Sequence, residues 1–161
     1  MTSTTHHDTQ IVSDPDVPLV RIVREFDAPP EKVFRAHTDP ELLVQWLGPR
    51  DLTMTIDHYD CRTGGSYRYL HRQGEEEYGF RGCFHEVRPD ELIVQTFTFE
   101  GEPDGVALEK LVLEDLGDGR TRLTSTSLVD SFADRDAFVA SGMAVGVREG
   151  YERLDELLAQ V

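Results

Sequence analysis

Apolar positions follow two different periods along this chain, and the change of period marks out its elements. In LVRIVREF, Val20, Ile22 and Phe26 fall on one face, with Arg24 interrupting it, so alternation predicts a strand over 19–27. Ala28-Pro29-Pro30 ends that strand and opens a helix at about 30–37, with Val33, Phe34 and His37 at helical spacing. Asp39 caps a second short helix running to Trp46, and Gly48-Pro49 stops it. From 51 to 129 alternation takes over, with candidate strands at 52–60, 66–73, 77–87, 91–100, 106–116 and 120–129. The connections carry turn residues, among them Thr63-Gly64-Gly65, Gln73-Gly74, Arg88-Pro89-Asp90 and Gly117-Asp118-Gly119. Six strands on short connections pair as an antiparallel meander, because parallel neighbours need long crossovers.

From Asp134 to Val161 the period returns to 3.6. Met143, Val147, Tyr151, Leu154, Leu158 and Val161 form one stripe, opposite Arg148, Glu152 and Asp155. At 1.5 Å per residue this helix extends about 40 Å and needs a large apolar partner. The meander is the available surface, and it must curve to cover the helix. The expected architecture is α+β: strand, two helices, six strands, then a long helix gripped by a curved antiparallel sheet of about seven strands.

Gly142, Gly146 and Gly150 line one edge of the stripe, and as interior helical glycines they cost roughly 3 kcal/mol against alanine. Two readings stand: close packing of the helix backbone on the sheet, or space beside the helix for a ligand or partner subunit. Within the strands, Tyr67 and Tyr69, Tyr78, Phe80 and Phe84, and Phe97 and Phe99 form aromatic faces. Gln95 shares a face with Ile93, Phe97 and Phe99, and Ser125 and Ser127 share one with Leu123. Polar or small residues amid apolar faces suit a cavity with a few hydrogen-bonding groups, and equally a water-satisfied core.

Composition narrows the function classes. A chain of 161 residues is one domain's worth and buries roughly 70% of its unfolded surface without help from metals or disulfides. The net charge of −15, from 31 acidic against 16 basic residues, repels phosphate backbones and anionic lipid. Neither nucleic acid nor membrane is expected as a partner, since no run of about 18 apolar residues occurs either. Residues 1–17 read as a mobile polar tail before a domain at 18–161. MTSTTHHDTQ lacks the features of a secretory signal, which makes the cytoplasm the expected location. His6-His7-Asp8 sits in that tail, unanchored for metal binding. His58 and Cys61 point to opposite faces of an unbroken strand, and the pair Cys83 and His85 is not a tetrahedral site. No metal or cofactor is expected. No nucleophile elbow, phosphate loop or zinc-protease motif occurs.

Together these segments carry a family resemblance. FDAPPEKVFRAHTDPELLVQWLGP, the turn Asp60-Cys61-Arg62-Thr63-Gly64-Gly65-Ser66-Tyr67, the strand Phe80–Val87 followed by Pro89, and Ser141-Gly142-Met143 with Gly146 and Tyr151 to Leu158 resemble the SRPBCC superfamily of START-like, helix-grip domains. The nearest subgroup is similar to activators of the heat-shock-protein-90 ATPase. Leu47 stands where that pattern has a second Trp, and Tyr151 where it has Trp, which alters the shape of any pocket. The resemblance implies a cavity for hydrophobic or amphipathic molecules between sheet and C-terminal helix, and often a homodimer. Carried onto this chain, the wall is Trp46, Tyr67, Tyr69, Phe80, Phe84, Gln95, Phe97, Met143, Val147 and Tyr151. The leading expectation is a small-molecule-binding domain. One alternative is a cyclase- or hydrolase-type enzyme using Arg24, His58, His71 or Glu86 in the same cavity. Another is a chaperone-associated interaction protein.

Overall fold

The computed structural model describes residues 7–161. Elements follow in the order β1 (Gln10–Ser13), β2 (Leu19–Phe26), α1 (Pro30–Thr38), α2 (Pro40–Leu43), β3 (Thr53–Tyr59), β4 (Ser66–Gln73), β5 (Glu76–Arg88), β6 (Leu92–Phe99), β7 (Ala107–Gly117), β8 (Arg120–Leu128), α3 (Phe132–Ala140) and α4 (Met143–Leu158). The strands form one sheet in the order β1-β2-β8-β7-β6-β5-β4-β3, every pair antiparallel. The six-strand meander follows from its short turns, and β2 closes onto β8 so that the two ends of the described strand order sit on a single curved surface. The fold is the α+β helix-grip arrangement, with the C-terminal helix against the concave face.

Two expectations need correction. The first concerns the tail. Residues 10–13, placed in a mobile segment, form β1, an eighth strand pairing Gln10 with Val23 and Ser13 with Val20. The four-residue strand is too short for its alternation to stand out, and its stability comes from the free edge of β2. His6 of the His6-His7-Asp8 cluster, with the rest of 1–6, lies outside the described residues; His7 Nε2 contacts Asp27 Oδ2 at 2.7 Å.

The second correction concerns the long helix, which is two helices. Gly142 adopts φ +89°, outside the helical region, and caps α4 from the N-terminal side. A left-handed residue breaks the ladder at little cost when it is glycine. The chain turns there, so the gripped helix is α4 alone, 16 residues or about 24 Å. Similarly α2 ends at Leu43, and 44–48 continue as turns.

The core lies between α1, α4 and the concave face. Val20, Phe26, Val33, Trp46, Phe84, Leu123 and Leu154 are all at most 2% exposed. Phe26 meets Tyr151 edge-on at 5.4 Å between ring centres, and Trp46 stacks on Tyr151 at 6.1 Å. These contacts pin α4 to β2 and to the segment after α2.

Candidate functional site

The concave face does not close fully on α4. A cavity of about 1170 Å³ runs between them, bordered by β4 to β8, by the segment after α2, and by the inner faces of α3 and α4. Alternation explains which side chains reach it. On β4, Tyr67, Tyr69 and His71 point inward while Arg68 and Arg72 point out. On β6 the inward set is Ile93, Gln95, Phe97 and Phe99.

The aromatic residues form a continuous wall. Tyr67 stacks on Tyr69 at 5.9 Å, Tyr69 on Phe80 at 5.4 Å, and Phe80 on Phe97 at 5.4 Å. Trp46 Nε1 donates to Ala36 O at 2.9 Å, which fixes its indole with one face toward Tyr151. Of the ten wall residues expected from the sequence, Trp46, Tyr67, Tyr69, Phe80, Gln95, Phe97, Met143, Val147 and Tyr151 border the cavity. Phe84 does not: at 2% exposure it sits beneath the wall, packed against Tyr59 and Tyr67. Phe84 keeps the register of Phe80 against β6, so it shares the lining face and is separated from the cavity by the rings packed on it. Leu47 and Tyr151, the two departures from the family pattern, both lie on the lining.

The glycine edge also reads differently in three dimensions. A Cβ at Gly150 would stand 3.3 Å from Trp46 O and 3.4 Å from Gly48 N, and one at Gly146 would stand 3.4 Å from Pro49 Cδ. The bare edge of α4 therefore seats the 46–49 segment against the helix. It holds Trp46 in place, and Gly146 and Gly150 border the cavity beside it.

A polar row crosses the cavity floor. Gln95 pairs in register with Glu109, and Glu109 with Ser127. Gln95 Nε2 donates to Glu109 Oε1 at 3.1 Å, and Ser127 Oγ donates to Glu109 Oε2 at 2.6 Å. Gln95 Nε2 also lies 3.3 Å from the Tyr67 hydroxyl, which itself donates to Thr96 O at 2.7 Å. Burial raises the Glu109 carboxyl above its usual 4.5, against the lowering effect of these two donors. Burial likewise raises Tyr67, Tyr69 and Tyr151, and the Glu109 charge adds to each shift.

Glu109 is the residue that sequence reasoning missed. On β7, Ala107, Glu109, Leu111 and Leu113 alternate with Leu108, Lys110, Val112 and Glu114, so each face carries apolar and charged positions. Lys110 is exposed and Glu109 half-buried, and both border the cavity. The usable signal was its place opposite Gln95 and Ser127, both already noted as polar residues on apolar faces.

The four residues considered for catalysis do not converge. Arg24 is buried but bound elsewhere, its guanidinium meeting Asp155 at 3.1 and 2.6 Å. Glu86 pairs with Arg88 at 3.0 Å on the outer side of β5. His58 Nδ1 lies 3.0 Å from Asp57 Oδ2 and its Nε2 3.1 Å from Ser66 Oγ, an acid–imidazole–hydroxyl chain in outline. That chain is about half exposed and lies outside the cavity. The nearby Gly64 and Gly65 N–H groups are already bonded to Phe84 O and Arg62 O, leaving neither to stabilise an oxyanion. Only His71 lines the cavity, 8% exposed, with Nε2 lacking any partner among the described residues. Burial and the Arg153 charge both lower its pKa, which favours the neutral ring.

No group of three or more metal-ligating side chains occurs among the described residues. No helix among them is long and apolar enough to cross a membrane.

Comparison with known proteins agrees with this architecture. Residues 27–159 match the family model described as Activator of Hsp90 ATPase homolog 1-like protein. No curated protein matches the chain. A crystal structure from Rhodobacter sphaeroides is similar over 94% of this chain and 99% of its own, at 29% identity and TM-score 0.84. A solution structure from Arthrobacter aurescens is similar over 94% of this chain and 92% of its own, at 26% identity and TM-score 0.85. A crystal structure from Mycobacterium smegmatis shares the fold, with TM-score 0.85 at 21% identity over 94% of this chain and 97% of its own. With the family model covering most of its length, the chain belongs to the Activator of Hsp90 ATPase homolog 1-like protein family.

Proposed function

We propose that this protein is a small-molecule-binding domain that holds a hydrophobic or amphipathic ligand between its sheet and α4. The observation that carries this reading is the cavity itself. At about 1170 Å³ it slightly exceeds the roughly 300–1,000 Å³ common for ligand sites, and aromatic rings with a few polar groups line it. A space of that size among tyrosine and phenylalanine rings loses dispersion contacts that an apolar ligand would restore.

Trp46, the chain's one tryptophan, borders the cavity and reports its occupancy. The test is a titration of purified protein with fatty alcohols, alkylphenols and aromatic polyketides, read by Trp46 emission and by thermal shift. Saturable emission changes with a rise in Tm are expected for at least one class. A flat response to every class in both readouts would defeat the proposal.

A further inference from the structure

Glu109 has no role in holding a purely apolar ligand, and its surroundings point to a more specific one. A carboxylate set in an apolar enclosure is costly unless something neutralises it. Its two protein partners, the Gln95 amide and the Ser127 hydroxyl, are both uncharged. No lysine or arginine forms an ion pair with it among the described residues; the adjacent Lys110 also borders the cavity, but at an exposed position of β7 where alternation turns it from Glu109. The neighbouring groups add acceptors and π-faces. Tyr69 and Tyr151 border the same cavity with hydroxyls that make no hydrogen bond among the described residues, and Tyr67, Tyr69 and Phe80 present stacked rings. Ring faces attract cations, and they do so more strongly when water is excluded. Of the acids that border the cavity, Glu102, Asp104, Asp130 and Asp134 are exposed, and Glu109 alone is set among the aromatic rings, with no ion pair among the described residues.

Building on the ligand-binding reading above, we propose that the ligand is an amphipathic amine, its ammonium bound to Glu109 and its apolar body against the aromatic wall. The ammonium supplies the charge that Gln95 and Ser127 cannot, while leaving both of their hydrogen bonds intact. A fatty acid in the same place would set two carboxylates together. A neutral alcohol would leave Glu109 uncompensated.

Three probes with one chain length separate these cases: dodecylamine, dodecanol and dodecanoate, each below its micelle concentration, near neutral pH, read by Trp46 emission. The wild type is expected to bind dodecylamine at least about tenfold tighter than either other probe, since hydrogen bonds to charged groups are the strong ones. Glu109→Gln is expected to lose about tenfold in amine affinity while dodecanol binding is unchanged. The substitution alters net charge by one unit, so the background attraction of an acidic protein for cations cancels in the comparison. Equal or tighter binding of dodecanol or dodecanoate by the wild type overturns the proposal whether or not the variant folds. So does an amine preference that survives in a folded Glu109→Gln. If dodecanol binds and the amine shows no advantage, ligand binding stands and the amine assignment falls. If none of the three probes shifts Trp46 emission, the amine assignment falls, and the ligand-binding reading falls with it only if the wider titration above is flat as well.

Discussion

Replacing Asp155 by alanine should destabilise this protein far more than replacing its partner Arg24 by methionine, although both changes break one ion pair. Arg24 interrupts the apolar face of β2, and its side chain is 2% exposed, while that of Asp155 keeps 31%. The guanidinium donates to Asp155 Oδ1 at 3.1 Å and Oδ2 at 2.6 Å, to Glu25 O at 2.8 Å and to Thr9 Oγ1 at 3.3 Å, above the Phe26 ring. Asp155→Ala leaves this buried cation with only the two neutral acceptors. The loss of one partner from a buried pair costs about 3–5 kcal/mol. For a domain of this size that lowers Tm by roughly 10 °C. Arg24→Met removes the charge while keeping much of the volume, and the partly exposed Asp155 carboxylate can hydrate, so the loss should stay below about 2 kcal/mol. The double variant should then be more stable than Asp155→Ala alone. Urea unfolding at neutral pH, followed by far-UV circular dichroism, measures all four corners of the cycle. Equal costs for the two single changes, adding in the double, would refute the reasoning that the buried guanidinium dominates.

Other expectations concern the glycines and two buried ionisable groups. Gly146→Ala should stabilise by up to about 1 kcal/mol, since its Cβ meets Pro49 at ordinary contact distance. Gly142→Ala should destabilise by about 1 kcal/mol because φ is +89° there, and thermal unfolding of the two variants shows the opposite signs. His37 is enclosed, hydrogen-bonded to Val33 O at 2.7 Å, and pushed from 6.5 to about 4 by burial. Below 6.5 the unfolded chain takes up the proton first, so stability falls as pH drops from about 6.5 to 4, by about 3 kcal/mol from this group. His37→Gln should remove that component, seen as a difference from wild type that changes across this range. Glu109 has the opposite sign: its carboxyl is raised, so the folded state holds the proton more tightly and loses stability as pH rises above 4.5. Glu109→Gln should therefore gain on the wild type as pH rises, and a pH-independent difference in urea unfolding would contradict it.

Much of this fold is legible from local pattern. The boundaries of β2 and of β4 to β8 lie close to the segments where apolar residues alternate, because the side chains of a strand point alternately to its two faces whatever its neighbours do. The cavity wall was legible for the same reason, as aromatic residues on one strand face stay together in any antiparallel meander. Phe84 misled because it shares the lining face of Phe80 but is covered by the rings of Tyr59 and Tyr67, and such covering depends on neighbouring strands rather than on one.

Taken alone, the sequence determined the strand and helix periods, the antiparallel meander, the presence of an amphipathic C-terminal segment, and the residue types available to line a cavity. Tertiary structure decided what those residues do. It placed Glu109 between Gln95 and Ser127 by register, which the turns joining β6 to β7 and β7 to β8 set together and alternation along one strand does not. It bound Arg24 to Asp155 across 131 positions, turning an interruption of a strand face into an anchor for α4. It also divided the glycines of one helical edge. Gly142 became a left-handed break and Gly150 the seat for Trp46 and Gly48, whereas Gly146 meets only the Pro49 ring, because a missing Cβ matters only where another backbone comes close or φ turns positive.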